Sequence, residues 1–225
     1  MNSQDKREAM INKVTTLAEA MEKINDGQTI MSGGFLFAGT PEVLIDGLVE
    51  KGIKDIFLIS SDTGTPEFGT GKLIVNRQVK RLIASHIGMN KETGRQLNAG
   101  EIEAELIPQG TFAERIRAAG GGLGGFLTPT GVGTIVEEGK QKLTVSGREY
   151  LLELPLRADV ALIKACKSDT FGNLTYRRAA RNFNPLMAMA ADFVIVAAEE
   201  IVEFGEIDPE LVFTPGFAVD MIVQA

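Results

Sequence analysis

The segment TIMSGGFLFAGTPEVLIDGLVEKG, residues 29–52, constrains the fold more than any other part of the sequence. A β-branched, apolar run breaks into two glycines and a phenylalanine, a third glycine follows, and an amphipathic stretch continues to Gly52. This order predicts a strand, a glycine-rich loop and a helix, with Gly52 just past the helix end. Thr40 is predicted to cap that helix, with Pro41 at its first position.

Strand-like and helix-like segments alternate along most of the chain. Buried strands are predicted at 28–32, 55–60, 80–85, 101–107, 159–165 and 192–196. Helices are predicted to open at the capping boxes Thr16-Leu-Ala-Glu19 and Thr111-Phe-Ala-Glu114, and at Asn184-Pro185. This alternation predicts an α/β fold with a mostly parallel open sheet and flanking helices.

One element departs from this alternation. Residues 143–145 and 149–154 flank Ser146-Gly147, which predicts a small β-hairpin. No linker-like or low-complexity stretch divides the 225 residues. A single domain over 1–225 is therefore expected, with 1–13 as a flexible N-terminal extension.

Composition argues against several classes of function. The net charge of −7 disfavours nucleic-acid binding, because phosphate recognition needs basic residues. The polar N-terminus lacks the apolar core of a signal peptide, and no window approaches the roughly 18 apolar residues of a membrane span. Cys166 is the only cysteine, which rules out an internal disulfide and fits a cytoplasmic protein.

Residues that usually carry chemistry are scarce. His86 is the only histidine, and a structural or surface role is favoured for it. The sequence has no His, Cys and carboxylate cluster at metal-binding spacing, so no metal is expected. The residues alone therefore indicate no convincing nucleophile, base or metal site.

The loop at 33–39 is the best candidate for a binding site. Glycines permit close backbone approach, and N–H groups at a helix N-terminus suit a phosphate or a carboxylate. The loop is not a P-loop, because Thr40 stands where lysine is required, and it is not G-x-G-x-x-G. A tight strand-to-helix turn is the alternative. For Phe35 and Phe37, ordinary core positions are likewise an alternative.

Three further segments are open to two interpretations each. Residues 115–134 carry seven glycines interleaved with apolar residues, which favours a ligand-covering or interface loop over a flexible linker. The three arginines within 177–181 form either a solvated face or a contact for an anion or a partner. The sequence FGTGK at 68–72 lacks the rest of a phosphate motif and is interpreted as a turn.

Four segments share a pattern with one enzyme family. They are DGQTIMSGGFLFAGTPEVLIDGL at 26–48, IPQGTFAERIRAAGGGLGGFLTPTGVGT at 107–134, LIKACKSDTFGNLTYRRAARNFNP at 162–185 and TPG at 214–216. On these residues the chain resembles the α subunit of the family I 3-oxoacid coenzyme A transferases. The resemblance extends from about Val14 to Val223 and is greatest to the bacterial acetate/acetoacetate (butyrate–acetoacetate) group.

The resemblance implies an enzyme that moves CoA from an acyl-CoA to a free carboxylate through a glutamyl-CoA thioester. In that family the nucleophilic glutamate lies on the β subunit, within a Ser-Glu-Asn-Gly motif that this chain lacks. The chain would then be active only with a β subunit, as αβ or α2β2. Coenzyme A would be a substrate, and no cofactor is expected.

The resemblance also assigns residues to the site. Gln109 matches a glutamine that faces the active site, whereas Ser61 stands where the family usually has an asparagine. Both are expected to support catalysis, and no catalytic nucleophile is expected in this chain. The family's CoA- and substrate-binding segment falls on Gly33, Gly34, Phe35, Leu36, Phe37, Ala38 and Gly39.

The acyl substrate is inferred from residues 94–134, which are more similar to the short-chain group. This implies acetyl-, acetoacetyl- or butyryl-CoA. A 3-oxoadipate or succinyl-CoA:3-ketoacid CoA-transferase α subunit is the alternative. A stand-alone enzyme of the same fold and a non-catalytic ligand-binding module also remain open.

Overall fold

The computed structural model describes residues 12–225. The predicted N-terminal extension over 1–13 lies outside the described residues except for Asn12 and Lys13. The Lys13 amide donates to the Thr170 carbonyl (2.8 Å), and its ammonium group donates to the carbonyls of Gly216 and Val219 (2.8 Å each).

The main sheet has eight strands, namely β1 (Thr29–Ser32), β2 (Ile56–Ser60), β3 (Val79–Ala84), β4 (Glu103–Leu106), β8 (Ala158–Asp169), β9 (Leu174–Thr175), β10 (Ala191–Val202) and β11 (Met221–Gln224). Seven of them run parallel in the order β11-β10-β8-β1-β2-β3-β4. The short β9 pairs antiparallel with β8. The predicted parallel α/β sheet is thus confirmed, although β8 and β10 are longer than predicted.

A second, three-stranded antiparallel sheet has the order β5-β7-β6. Its strands are β5 (Phe126–Thr128), β6 (Lys142–Val145) and β7 (Arg148–Glu153). Strands β6 and β7 form the predicted hairpin across Ser146 and Gly147, where both residues have positive φ as a type I′ turn requires.

Six α-helices connect or flank the strands in the described residues. They are α1 (Leu17–Glu22), α2 (Glu42–Lys51), α3 (Gly71–Val75), α4 (Lys91–Asn98), α5 (Gln109–Gly120) and α6 (Asn184–Ala190). Short 3-10 turns lie at Ile135–Glu137, Arg178–Arg181, Pro209–Leu211 and Gly216–Ala218.

The sequence signals at helix ends were right at some positions and wrong at others, and α6 begins at the predicted Asn184-Pro185. Thr16 and Glu19 form the predicted capping box on α1, and Gly52 ends α2 in the left-handed conformation (φ 70°). Thr40 does not cap α2 and Pro41 is not its first residue, because the helix begins at Glu42 with Pro41 at the N-cap position. The Thr40 hydroxyl instead donates to the Leu36 carbonyl (2.9 Å) and closes the preceding loop. Thr111 does not cap α5, because the helix already begins at Gln109 and Thr111 lies buried in its first turn.

The central strands of the main sheet are buried on both faces, because alternate residues point to opposite sides and helices cover each side. Ile30 and Leu58 pack with helices α1 to α3, whereas Met31 and Ile59 pack with α5 and α6. All four side chains are fully buried. This explains why the strands read as continuous apolar runs in the sequence.

The connection order places the carboxyl ends of the central strands at one edge of the sheet. Strands β1 to β4 follow one another in one direction, whereas β8 lies on the other side of β1. Ligands in open α/β sheets bind outside the carboxyl ends of the strands at such a switch point. The loop at 33–39, between β1 and α2, begins at this position.

Candidate active site at the carboxyl edge of the sheet

The loop at 33–39 is a tight turn that presents two aromatic rings to solvent. The amides of Phe35 and Ala38 each donate to the other's carbonyl (3.0 Å), with Leu36 at φ 52° between them. Phe35 and Phe37 are 44% and 60% exposed. The alternative in which these two rings are core residues is therefore wrong.

The loop is fixed to β2 through a buried carboxylate. Asp62 accepts a hydrogen bond from the Leu36 amide through Oδ2 (2.9 Å) and one from the Gly64 amide through Oδ1 (2.9 Å). Gly33, Phe35, Leu36 and Ala38 thus all donate their amides to acceptors within the protein. The loop keeps fewer free donors for an anion than an open glycine-rich nest would.

A pocket of about 440 Å³ lies beside this loop, above the ends of β2, β3 and β4. It brings together four of the residues predicted from the sequence, namely Phe35, Leu36, Ser61 and Gln109. The other lining residues are Asp62, Ser85, His86 and Met89. Three of these directly follow β2 or β3, so they come together only because parallel strands end at the same edge.

A hydrogen-bonded group of polar side chains forms one side of the pocket. Gln109, in the first turn of α5, donates through Nε2 to the buried Ser61 hydroxyl at 3.4 Å. Ser85 Oγ lies 2.7 Å from the Ser61 carbonyl oxygen and also contacts Gln109 Oε1. Since Ser85 has one proton, it donates to one of these oxygens at a time. The Ser61 hydroxyl proton and the second Nε2 proton of Gln109 are not used in these bonds, so each can be donated to a substrate oxygen.

The remaining residues of the predicted segment, Gly33, Gly34, Phe37, Ala38 and Gly39, do not line this pocket. Gly33 and Gly34 line a narrow cleft next to it. Phe37 packs edge-to-face on Phe68, with ring centroids 5.0 Å apart. The Gly39 carbonyl accepts from the buried Asn184 amide (3.0 Å).

Four lining residues were not selected from the sequence as site residues. His86 was assigned a structural or surface role, and the structure shows it exposed at the pocket. Asp62, Ser85 and Met89 carried no recognised motif. The available signal was position, because polar side chains just after parallel strands tend to lie at a binding edge.

The other segments with two interpretations do not line this pocket. Residues 115–134 include the C-terminal part of α5 and the whole of β5, and Leu123 between them is 57% exposed. Arg181 stacks over the Phe213 ring (4.6 Å to the centroid), and Arg177 pairs with Glu199 (3.5 Å). The turn predicted at 68–72 is present only in its first residues, because α3 already begins at Gly71.

Within residues 12–225, no three His, Cys, Asp or Glu side chains are grouped closely enough to hold a metal ion. The helices of the same range are too short or too polar to cross a membrane.

Comparison with known proteins decides the family. The family model described as Coenzyme A transferase matches residues 14–225. This chain belongs to the coenzyme A transferase family. It is 55% identical over 214 residues to the acetate CoA-transferase subunit alpha of Escherichia coli (strain K12), covering 95% of this chain and 97% of the relative. It is 53% identical over 215 residues to the acetoacetyl-CoA:acetate/butyrate CoA transferase alpha subunit of Clostridium acetobutylicum, covering 96% and 99%.

The fold of this CoA-transferase chain also matches solved structures. An acyl-CoA transferase of E. coli O157:H7, in a thioester complex with CoA, superposes with a TM-score of 0.85 over 95% of this chain. The chain covers 47% of the length of that protein, and the aligned residues are 22% identical, so this likeness concerns the fold alone.

Proposed function

We propose that this CoA-transferase chain is the α subunit of a heteromeric enzyme that moves CoA between a short-chain acyl-CoA and a free carboxylate. The β subunit supplies the glutamate nucleophile. Coenzyme A is a substrate, no cofactor takes part, and the site of action is the cytoplasm. The high identity to named α subunits supports this proposal.

One observation carries the two-subunit assignment. Asp62 is the only carboxylate that lines the pocket in the described part of the chain. Both of its oxygens accept backbone amide hydrogens, and the side chain is 7% exposed. Burial and a hydrogen bond to each oxygen make this carboxylate a weaker nucleophile, because they stabilise its negative charge and orient both oxygens toward backbone amides. This supports a nucleophile that comes from another chain.

The chemistry divides between the two chains as follows. A glutamate of the β subunit attacks the thioester carbonyl, the carbon–sulfur bond breaks, and an acyl-glutamyl anhydride and CoA thiolate form. The thiolate then attacks the glutamyl carbonyl, which gives the glutamyl-CoA thioester and releases the acyl group as a carboxylate. A second carboxylate reverses these steps. Gln109 Nε2 and the Ser61 hydroxyl are donors for the negative charge that develops on the attacked carbonyl oxygen.

The lining of the pocket supports a small monocarboxylic acyl group. Phe35, Leu36 and Met89 give apolar walls, and neither lysine nor arginine lines the pocket among residues 12–225. A succinyl or 3-oxoadipyl group would place a second carboxylate near Asp62 without a basic partner from this chain. Repulsion between like charges disfavours that arrangement.

The test combines the purified chain with its β subunit. The chain alone should not turn over acetoacetyl-CoA with acetate, and the complex should do so. With succinate in place of acetate, kcat/KM should fall by at least about tenfold, because the second carboxylate lacks a partner. Native mass of the complex distinguishes αβ from α2β2.

Three outcomes would contradict the proposal. Transferase activity of the isolated chain would show that the nucleophile is in this chain. A complex that binds CoA but never transfers it would support a non-catalytic module. Faster turnover with succinate than with acetate would support the dicarboxylate alternative.

A further inference from the structure

We propose that Asp62 and Asn182 are positioning residues that hold the loop at 33–39 from two sides and so set the geometry of the pocket. The inference rests on the proposed function of that pocket. It concerns the conformation of the loop rather than contact with substrate.

Asp62 holds the first half of the loop. Its carboxylate is buried at the end of β2 and joins the Leu36 amide to the Gly64 amide (2.9 Å each). Leu36 has a positive φ of 52°, a conformation that non-glycine residues adopt rarely unless other contacts fix it. Hydrogen bonds to an ionised acceptor are among the stronger ones. The carboxylate therefore stabilises the turn that presents Phe35 and Leu36 to the pocket.

Asn182 holds the second half from the opposite side. Its Nδ2 donates to the Ala38 carbonyl (2.9 Å) and to the Ala179 carbonyl (2.8 Å). It thereby attaches the loop to the 3-10 turn Arg178–Arg181. Buried Asn184 adds a bond from Nδ2 to the Gly39 carbonyl (3.0 Å).

These anchors matter because the tip of the loop, residues 35–37, buries little apolar surface. Phe35 and Phe37 are largely exposed, so burial of apolar surface contributes little to fixing them. With Asp62 removed, the Leu36 amide loses its acceptor and the turn gains conformational freedom. Misplacement of a wall by about 1 Å costs roughly 10²-fold in rate in well-positioned active sites.

The test compares Asp62→Ala and Asn182→Ala with Asp159→Ala, each paired with wild-type β subunit. Asp159 is the matched control, since its carboxylate accepts the Thr29 amide (2.7 Å) at the opposite end of β1. Hydrogen exchange of residues 33–40 should accelerate in the first two variants and stay unchanged in Asp159→Ala. The first two should also lose about 10²-fold in kcat with a smaller change in KM, because the defect lies in positioning.

Asp62→Asn provides a graded variant. The asparagine side chain has one oxygen, which can still accept one of the two hydrogen bonds that Asp62 accepts. The exchange rate and kcat of this variant should therefore lie between those of wild type and Asp62→Ala. Asn182 is partly exposed, so its variant tests the proposal even if Asp62→Ala does not fold.

Two results would overturn the proposal. One is unchanged loop exchange in both Asp62→Ala and Asn182→Ala. The other is faster loop exchange while kcat stays within about twofold of wild type, because a misplaced wall is expected to lower kcat by much more. The exchange experiment needs no substrate, so it decides whether these residues hold the loop even if the wild-type complex transfers no CoA.

Discussion

Gly33→Ala tests how the start of the loop is built into the fold. A Cβ atom at Gly33 would lie 1.9 Å from Asn184 Oδ1 and 2.8 Å from its Cγ. Real Cβ contacts are not this short, so the Asn184 side chain must leave its position. The backbone conformation of Gly33 is not the obstacle, because its φ is not in the left-handed region.

The size of the effect follows from what Asn184 does. The residue is fully buried. Its Oδ1 accepts the Lys164 amide (2.9 Å), and its Nδ2 donates to the carbonyls of Gly39 (3.0 Å) and Ala180 (2.8 Å). An unsatisfied buried partner costs about 1–3 kcal/mol, and we assume that a rotated amide recovers one of the three bonds. Two lost partners therefore give an expected loss of about 2–6 kcal/mol of unfolding free energy.

Urea denaturation of wild type, Gly33→Ala and Gly94→Ala measures this loss. Gly94 lies inside α4, and a Cβ atom there has no neighbour within 4 Å. Gly94→Ala should therefore stabilise the chain, by about 0.5–1 kcal/mol, because alanine is the better helix former. If Gly33→Ala lowered the free energy of unfolding by less than about 1 kcal/mol, the loss would be smaller than the cost of one unsatisfied buried group. That result would refute the reasoning.

Three further predictions concern separate parts of the chain. Ser61→Ala should lower turnover of the complex about tenfold. Loss of a strong oxyanion donor lowers turnover by about 10² or more, and we expect less here because the hydrogen bond from Gln109 to Ser61 is long (3.4 Å). Ser61→Asn should preserve turnover, and equal rates for Ser61→Ala and wild type would remove this hydroxyl from the mechanism. Hydrogen bonds from Thr15 and Thr16 lower the pKa of Glu19 to about 2 from 4.5, so wild type should be more stable than Glu19→Gln above pH 4.5. That advantage should disappear as the pH falls through 2, and a thermal-melt difference independent of pH would contradict it. Hydrogen exchange at 123–132 should slow when the β subunit is added, and unchanged exchange would place the interface elsewhere.

Local signals predicted much of the fold. The apolar runs at β1 and β2 and the turn at Ser146-Gly147 were visible because each is decided by neighbours in sequence. The capping box at Thr16 and the glycine at position 52 were visible for the same reason. The assignments of Gly33 to Gly39, Ser61 and Gln109 came from family resemblance, and their roles stay predictions.

Competition between local signals caused the errors at helix ends. Thr40 has a good capping side chain, but Pro41 takes the N-cap position of α2, which leaves Thr40 one residue too early. Thr111 matches a capping box, but Pro108 turns the chain into the helix earlier. A cap must stand directly before the first helical residue, and the sequence alone does not fix that residue to within one or two positions.

The chain's sequence by itself determined the elements, their alternation and the membership of the family, because these depend on periodicity and on contiguous motifs. Only the tertiary structure decided which residues share the pocket. Ser61, Ser85 and Gln109 come from three different strand-to-helix connections. The sheet unites them because its parallel strands end at one edge, so residues separated by a crossover become neighbours. The same pairing of distant segments turned Asp62 and Asn182 from unremarked residues into the anchors of the loop.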